Sequence, residues 1–99
     1  MKSRVVIRPE AEADLADAFA WYEERRAGLG ERFLLCVEAA LAAIERYPAS
    51  FPTVHQQVRR ALLRRFPYGI FYTIEPNAIV VLAVFHCGRD PRRWREREA

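Results

Sequence analysis

The chain has 99 residues, of which 52% are hydrophobic and 29% charged, and its formal net charge is +3 at pH 7. This predicts a single domain, residues 1–99, and no apolar run approaches the ~20 residues of a membrane span, so we expect a cytoplasmic protein without a signal peptide or a membrane partner. Cys36 and Cys87 are too few for a metal motif or a disulfide framework, so we predict reduced thiols, no metal site and no cofactor.

The first half predicts a strand and two helices. Arg4–Ile7 is strand-like, and Pro9 begins a helix with acidic residues in its first turns, where they suit the helix dipole. Its buried face is predicted to be Ala11, Leu15, Ala18, Phe19 and Tyr22. Trp21 lies beside this stripe and, with Tyr22, is interpreted as packing within the helical pair.

Gly28-Leu29-Gly30 ends the first helix and leads into a second one. The second helix is predicted to run from about Glu31 to Tyr47 and to end at Pro48. Its apolar stripe consists of Phe33, Val37, Ala40, Leu41 and Ile44. So short a connection between two helices predicts an αα-hairpin.

The second half predicts a loop followed by three strands. The proline-rich segment Pro48–Gln57 is predicted to be a loop with His55 on its surface. The strands are predicted at Val58–Phe66, Gly69–Glu75 and Ala78–Phe85, the last two joined by a turn at Pro76-Asn77. Asp90-Pro91 then has the pattern that opens a short helix, Arg92–Arg97.

These elements predict an α+β fold. A helical hairpin would pack on an antiparallel-rich sheet of about four strands that includes the N-terminal strand, and a short helix would end the chain. The strand Ala78–Phe85 is apolar at every position, which is typical of a strand covered on both faces. Its second face would be covered either by a partner chain or by the C-terminal helix folding back with Trp94.

Positive charge is concentrated in the sheet half. Residues 1–50 carry seven Lys or Arg and nine Asp or Glu, whereas residues 51–99 carry nine Arg and four Asp or Glu, giving net charges of −2 and +5. So lopsided a domain is expected to meet a polyanion or an acidic partner. The exclusive use of arginine there favours bidentate recognition of carboxylate or phosphate, or reflects a genome of high GC content.

The order of elements resembles the RelE/ParE superfamily of small bacterial toxins from type II toxin–antitoxin systems. Three groups of residues are similar to its ParE branch. They are Ala20–Glu24 with Gly28–Phe33; Arg64–Tyr68 with Tyr72; and Val84–His86 with Gly88–Trp94. The resemblance covers nearly the whole chain.

The resemblance implies a toxin that a cognate antitoxin holds inactive and that arrests growth when freed. For the ParE branch it implies a binding inhibitor that traps DNA gyrase, and for the RelE branch a ribosome-dependent mRNA endonuclease. Direct contact with nucleic acid is expected only for the nuclease. A third reading is a family member that binds its antitoxin and poisons nothing.

Metal-free RNA cleavage needs a base, an acid and cationic donors around the phosphate. The candidates for such a site are His86, Arg64, Arg65, Arg89 and Tyr72, with Glu45 at a distance. The alternative interpretation of His86 is a hydrogen-bonded residue that fixes the turn after the last strand. If the toxin is a binding inhibitor, we predict no catalytic residue.

Arginines dominate the predicted binding surface for an antitoxin or a target. Its members are predicted to be Arg59, Arg60, Arg64, Arg65, Arg89, Arg92, Arg93 and Trp94. The alternative for the arginines on the strand Val58–Phe66 is a solvated edge that discourages aggregation. Trp94 would be either an interface anchor or a cap on the core.

Overall fold

The computed structural model describes residues 4–89 and 91–97, and it has the predicted α+β architecture. The strands are β1 (Arg4–Ile7), β2 (Thr53–His55), β3 (Val58–Leu62), β4 (Tyr68–Ile74) and β5 (Ala78–His86). The helices are α1 (Pro9–Arg25), α2 (Leu29–Arg46) and α3 (Arg92–Arg95), and Pro48–Ser50 forms a 3-10 turn. In the described part of the chain, no helix combines the length and apolar character needed to cross a bilayer.

The two long helices form the predicted hairpin, joined by a tight turn. Gly28 has a φ of 87°, in the left-handed region that glycine adopts without steric cost. The carboxylate of Glu23 accepts the N–H groups of Gly28 and Gly30, both at 2.9 Å, and so satisfies donors at the start of α2. A Cβ atom at Gly30 would lie 2.8 Å from the Phe19 ring, which shows how closely α1 and α2 approach.

The sheet has five strands in the order β1-β5-β4-β3-β2. β1 is parallel to β5, and the other pairs are antiparallel. The predicted loop Pro48–Gln57 was therefore wrong in part, because β2 forms there and pairs with the outer edge of β3, which would otherwise lack partners for its backbone groups. His55 consequently lies half-buried in a strand, with its ring 6.1 Å from that of Trp94.

The first face of the sheet packs against the helical hairpin. The predicted stripes of both helices are confirmed except at Phe19, since the other side chains are buried or partly buried in this core. Phe19 is half-buried outside it, with its ring against Gly30 of α2. An aromatic cluster lies at one end of this core. The centroid of the Phe33 ring is 5.1–5.4 Å from the ring centroids of Tyr22, Phe66 and Tyr68.

The second face of the sheet is covered by the C-terminal segment. Trp94 is only 6% exposed and stacks on Phe71 with ring centroids 4.4 Å apart. Arg97 fixes this segment, because its guanidinium binds the carboxylate of Asp14 on α1 at 2.6 and 3.2 Å. The sequence left open whether a partner chain or the C-terminal helix covers this face. In the structure the C-terminal segment of the same chain covers it. Asp90, the predicted N-cap, lies outside the described residues, and α3 ends at Arg95, earlier than predicted.

Tyr72 gives the fold a measurable dependence on pH. Its side chain is fully buried, and its hydroxyl donates to the carbonyl of Pro48 at 2.5 Å. Desolvation raises the pKa of Tyr72 above its ordinary value of 10.0, although Arg59 opposes the shift. As the pH rises past this ordinary value, the unfolded chain releases the tyrosine proton more readily than the folded one, so stability falls.

Replacing Tyr72 by phenylalanine should show both effects. We expect the free energy of unfolding at pH 7 to fall by about 1–2 kcal/mol, because the Pro48 carbonyl loses its donor. Above about pH 10 the gap between Tyr72→Phe and wild type should narrow, since the variant has no phenol to ionise there. Urea unfolding at both pH values measures this, and Tyr47→Phe, at a side chain 64% exposed, is the control that should leave the free energy of unfolding at pH 7 unchanged.

Candidate functional site

Five arginines gather at one end of the sheet, where β3 ends, β4 begins and β5 ends. We call Arg60, Arg64, Arg65, Arg89 and Arg93 the basic end. Four of them are exposed, and Arg60 is half-buried. No acidic side chain among the described residues forms a salt bridge with any of them. Five of the nine arginines of the second half thus belong to this end of the sheet.

Arg60 lies across the second face of the sheet, and the residue beside it makes room for this. A Cβ atom at Gly69 would stand 3.0 Å from Cγ and 3.1 Å from Cδ of Arg60. The buried Nε atom of Arg60 has no hydrogen-bond partner within the described ranges. Glycine at position 69 therefore lets a guanidinium extend over the strand towards the basic end.

Arg65 occupies a strained turn position. Its φ is 68°, in the left-handed region, where a residue with a Cβ atom other than Asn or Asp costs about 1 kcal/mol or more. The turn is closed by bonds from Leu63 N–H to Tyr68 C=O at 2.9 Å and from Tyr68 N–H to Phe66 C=O at 2.8 Å. An arginine stands where glycine would fit better, and such strain is typical of functional positions.

The other members of the predicted binding surface have different surroundings. Arg59 points to the helical layer, where its guanidinium donates to Ala49 C=O at 3.1 Å and Phe51 C=O at 2.5 Å. Trp94 is buried against the sheet, so in the free chain it caps the core. Arg92 is exposed on α3, beside Arg93.

His86 takes part in the turn that follows β5. Its Nδ1 accepts the N–H of Gly88 at 2.9 Å, so the proton of the neutral ring lies on Nε2. Arg89 N–H bonds the carbonyl of His86 at 3.1 Å, and the His86 ring packs edge-on against Tyr68 at 5.4 Å. These contacts correspond to the structural interpretation of this residue.

The groups suggested for a nuclease are only partly brought together. His86 and Arg89 lie at the basic end with Arg64 and Arg65, but Tyr72 does not. In the β4–β5 register His86 faces Tyr68, and Tyr72 is four residues further along β4, roughly 13 Å at 3.3 Å per residue. Among the described residues, no group of three His, Cys, Asp or Glu side chains is arranged to hold a metal ion.

A cleft of about 610 Å³ opens beside the basic end, between α1 and the end of β5. We call it the α1–β5 cleft. Its lining includes Asp14, Asp17, Trp21 and Tyr22 from α1; Tyr68 from β4; Val84 and His86 from β5; and Arg89 from the turn after β5. Burial raises the pKa of Tyr68 above its ordinary value, and the positive charge of the nearby Arg89 opposes this shift only in part.

Sequence reasoning missed this cleft and misjudged Trp21. That side chain is 50% exposed and forms a wall of the cleft, whereas packing within the helical hairpin was expected. A signal was present, because Asp14, Asp17 and Trp21 follow one another at spacings of three and four residues and so share a face of α1. What the sequence did not reveal was that β5 lies opposite that face.

The comparisons with known proteins agree with this architecture. A family model described as the ParE toxin of the type II toxin–antitoxin system parDE matches residues 5–91. Toxin ParE2 of Mycobacterium tuberculosis, from strain H37Rv and likewise from strain CDC 1551, is 30% identical over 92 residues, which are 92% of this chain and 88% of the relative.

A solved structure has the same fold. It is described as the chromosomal ParDE TA system from P. aeruginosa, and it superposes with a TM-score of 0.77 over 86% of this chain and 96% of that chain. The sequence identity is 16%, so this match concerns the fold alone. With the family model covering all the elements from β1 to the turn before α3, the chain belongs to the ParE toxin family of type II toxin–antitoxin systems.

Proposed function

We propose that this toxin arrests growth by binding DNA gyrase and trapping it, without a chemical step of its own, and that a cognate antitoxin neutralises it. The observation that carries the proposal is the match to the ParE toxin model over residues 5–91. The basic end is the surface we assign to target binding, since four of its five arginines are exposed and none of the five forms a salt bridge with a described acidic side chain. An acidic segment of a partner would supply carboxylates for these guanidinium groups.

The strain at Arg65 supports the same assignment. The turn keeps a cation at a position where glycine would be more stable, and nothing in the packing of the described residues requires an arginine there. A role in binding accounts for its presence, because a planar guanidinium can pair with a carboxylate through two parallel hydrogen bonds.

Endonuclease activity is the second candidate, favoured by the presence of His86 at the same end as Arg64, Arg65 and Arg89. Two contacts favour gyrase binding over it. The Nδ1 atom of His86 is engaged by Gly88 N–H, and the hydroxyl of Tyr72 is engaged by Pro48 C=O deep in the core.

The test compares both activities with purified protein. We expect inhibition of gyrase supercoiling with accumulation of trapped double-strand breaks, and no cleavage of mRNA on programmed ribosomes. The double variant Arg65→Gly/Arg89→Ala should raise the inhibitory concentration about tenfold, because two charge-assisted contacts are lost. It should fold normally, since glycine relieves the strained φ at position 65.

Two controls make the result specific. Arg4→Ala/Arg46→Ala removes the same charge from exposed sites on β1 and at the far end of α2, and it should change inhibition by no more than about twofold. His86→Ala should also leave gyrase inhibition unchanged. Ribosome-dependent mRNA cleavage that His86→Ala abolishes would overturn the proposal in favour of the nuclease.

A further inference from the structure

A second cavity lies on the second face of the sheet, towards the end opposite the basic end. Its volume is about 540 Å³, which is within the range of small-molecule sites. Val80 and Leu82 of β5 form an apolar floor, and Thr73 of β4 lies beside them. We call this cavity the second-face pocket. Its rim is polar, and three separate segments of the chain contribute to it.

Thr73 places an unused hydroxyl at the bottom of the pocket. The residue is only 8% exposed, and it is the one polar residue that is buried in the described part of the chain. Its hydroxyl makes no hydrogen bond to another described residue, although a buried polar group normally has a partner. The hydroxyl is therefore available to a ligand that enters from the open side.

One rim of the pocket carries a cation. Arg8, directly before α1, is half-buried, and Nη1 of its guanidinium donates to the carbonyl of Arg97 at 3.3 Å. Its other side-chain N–H groups have no acceptor, and its charge has no carboxylate partner, within the ranges described. A guanidinium that is anchored and still has free donors is suited to a phosphate or a carboxylate, which it binds through two parallel bonds.

The opposite rim offers two amide side chains. Gln56 and Gln57 form the turn between β2 and β3, and neither amide group is bonded to a described residue. Gln56 has a φ of 50°, in the left-handed region, where glycine or asparagine would cause less strain. Each amide presents a donor and an acceptor side by side, the pattern that pairs with the edge of a nucleobase.

The distance between the two rims limits the ligand. Arg8 continues β1 and Gln57 precedes β3, and three strand spacings of about 4.8 Å, roughly 14 Å in all, separate these strands. A free amino acid is too short to contact both rims. Between them β4 provides the Thr73 hydroxyl and, directly after its last residue, the carboxylate of Glu75, a group that binds ribose hydroxyls in nucleotide sites. A nucleotide has its phosphate, ribose and base in the same order.

We propose that the second-face pocket binds a free nucleoside monophosphate. Arg8 holds the phosphate, and Gln56 and Gln57 pair with the edge of the base. Thr73 and Glu75 contact the ribose. The pocket lies away from the arginines assigned to target binding, so this function is additional to growth arrest and does not depend on the identity of the target.

Titration of the purified, isotope-labelled toxin with AMP, followed by two-dimensional NMR, tests the proposal. We expect saturable shifts of the side-chain amide signals of Gln56 and Gln57 and of the backbone amide of Thr73. Ribose phosphate, which lacks the base, and adenosine, which lacks the phosphate, should each bind at least about tenfold more weakly, because each loses the contacts of one rim.

Three results of the titration would overturn the proposal. The first is the absence of shifts at these residues with AMP, GMP, CMP and UMP. The second is equal affinity for ribose phosphate and AMP, which would mean a site for anions only. The third is a single-stranded hexanucleotide that binds more tightly than AMP, which would assign the pocket to a nucleic-acid strand.

Two variants with matched controls separate binding from folding. Thr73→Val should weaken AMP binding at least about fivefold, because one hydrogen bond is lost. It should not lower the urea midpoint, since valine suits a strand and leaves no unpaired polar group. Arg8→Gln should weaken binding at least about tenfold. Thr53→Val and Arg4→Gln, at exposed residues outside the pocket, should leave the affinity unchanged.

The variants also give results that would contradict the assignment. A Thr73→Val protein that binds AMP as tightly as wild type would overturn it, as would equal weakening by Arg8→Gln and Arg4→Gln. None of these measurements involves gyrase. A toxin that inhibits gyrase but binds no nucleotide contradicts this inference alone, and one that binds AMP but leaves gyrase active contradicts only the proposed target.

Discussion

Phe33→Ala is expected to destabilise the fold by about 3–5 kcal/mol, the range for removing a buried aromatic side chain from a core. Phe33 is fully buried and stands at the centre of the aromatic cluster that joins α2 to α1, β4 and the turn after β3. Its partners come from three separate segments, so they cannot collapse together to fill the space. The cavity therefore adds its cost to the lost transfer free energy.

Urea unfolding followed by circular dichroism measures the change. For a domain of this size the total stability is about 5–15 kcal/mol, so a large part would be lost and the variant should be partly unfolded at 37 °C. Leu35→Ala, two residues away on the exposed side of the same helix, should change the stability by less than about 0.5 kcal/mol. Equal effects of the two substitutions would mean that the face of α2 that carries Phe33 is not buried in solution.

Trp94→Ala is expected to lower the free energy of unfolding by about 3 kcal/mol, at the lower end of the range for aromatic residues, because the short helix α3 can shift to fill part of the space. The indole covers the second face of the sheet, where it stacks on Phe71 beside Val58 and Leu82. Removing it exposes an apolar surface on three strands, β3, β4 and β5. We therefore expect binding of a hydrophobic dye together with the loss of stability.

Arg95→Ala is the control for Trp94→Ala. Arg95 lies on the same short helix with its guanidinium 5.5 Å from the Trp94 ring, but its side chain is exposed. Arg95→Ala should lower the free energy of unfolding by no more than about 1 kcal/mol, the range of an exposed cation–π contact. If Trp94→Ala were as mild as this control and bound no dye, the C-terminal segment would not cover the sheet in solution.

The candidate site was predictable only where it depends on local composition. The exposure of Arg64, Arg65 and Arg89 follows from their charge. The predicted strand Val58–Phe66 was too long, however, because β3 ends at Leu62 and Arg64 and Arg65 lie in the turn that follows it. Arg59 could not be distinguished from Arg60 by sequence, because alternate strand residues point to opposite faces and only packing determines which face the helices cover. Tyr72 appeared as a potential catalytic group for the same reason, although its hydroxyl is used inside the core.

The helical hairpin, the β4–β5 hairpin and the concentration of arginine in the second half could all be predicted from local sequence. These features depend on short-range periodicity, on glycine and proline at turns, and on charge. The folded chain was needed to see that β1 runs parallel to β5 and ends halfway along it, that β2 completes the other edge, and that Trp94 covers the second face. Strand order and edge lengths arise from contacts between residues far apart in the chain, and periodicity carries no information about them. The α1–β5 cleft is a product of that pairing, which is why Trp21, Val84 and His86 line a common cavity only in the folded protein.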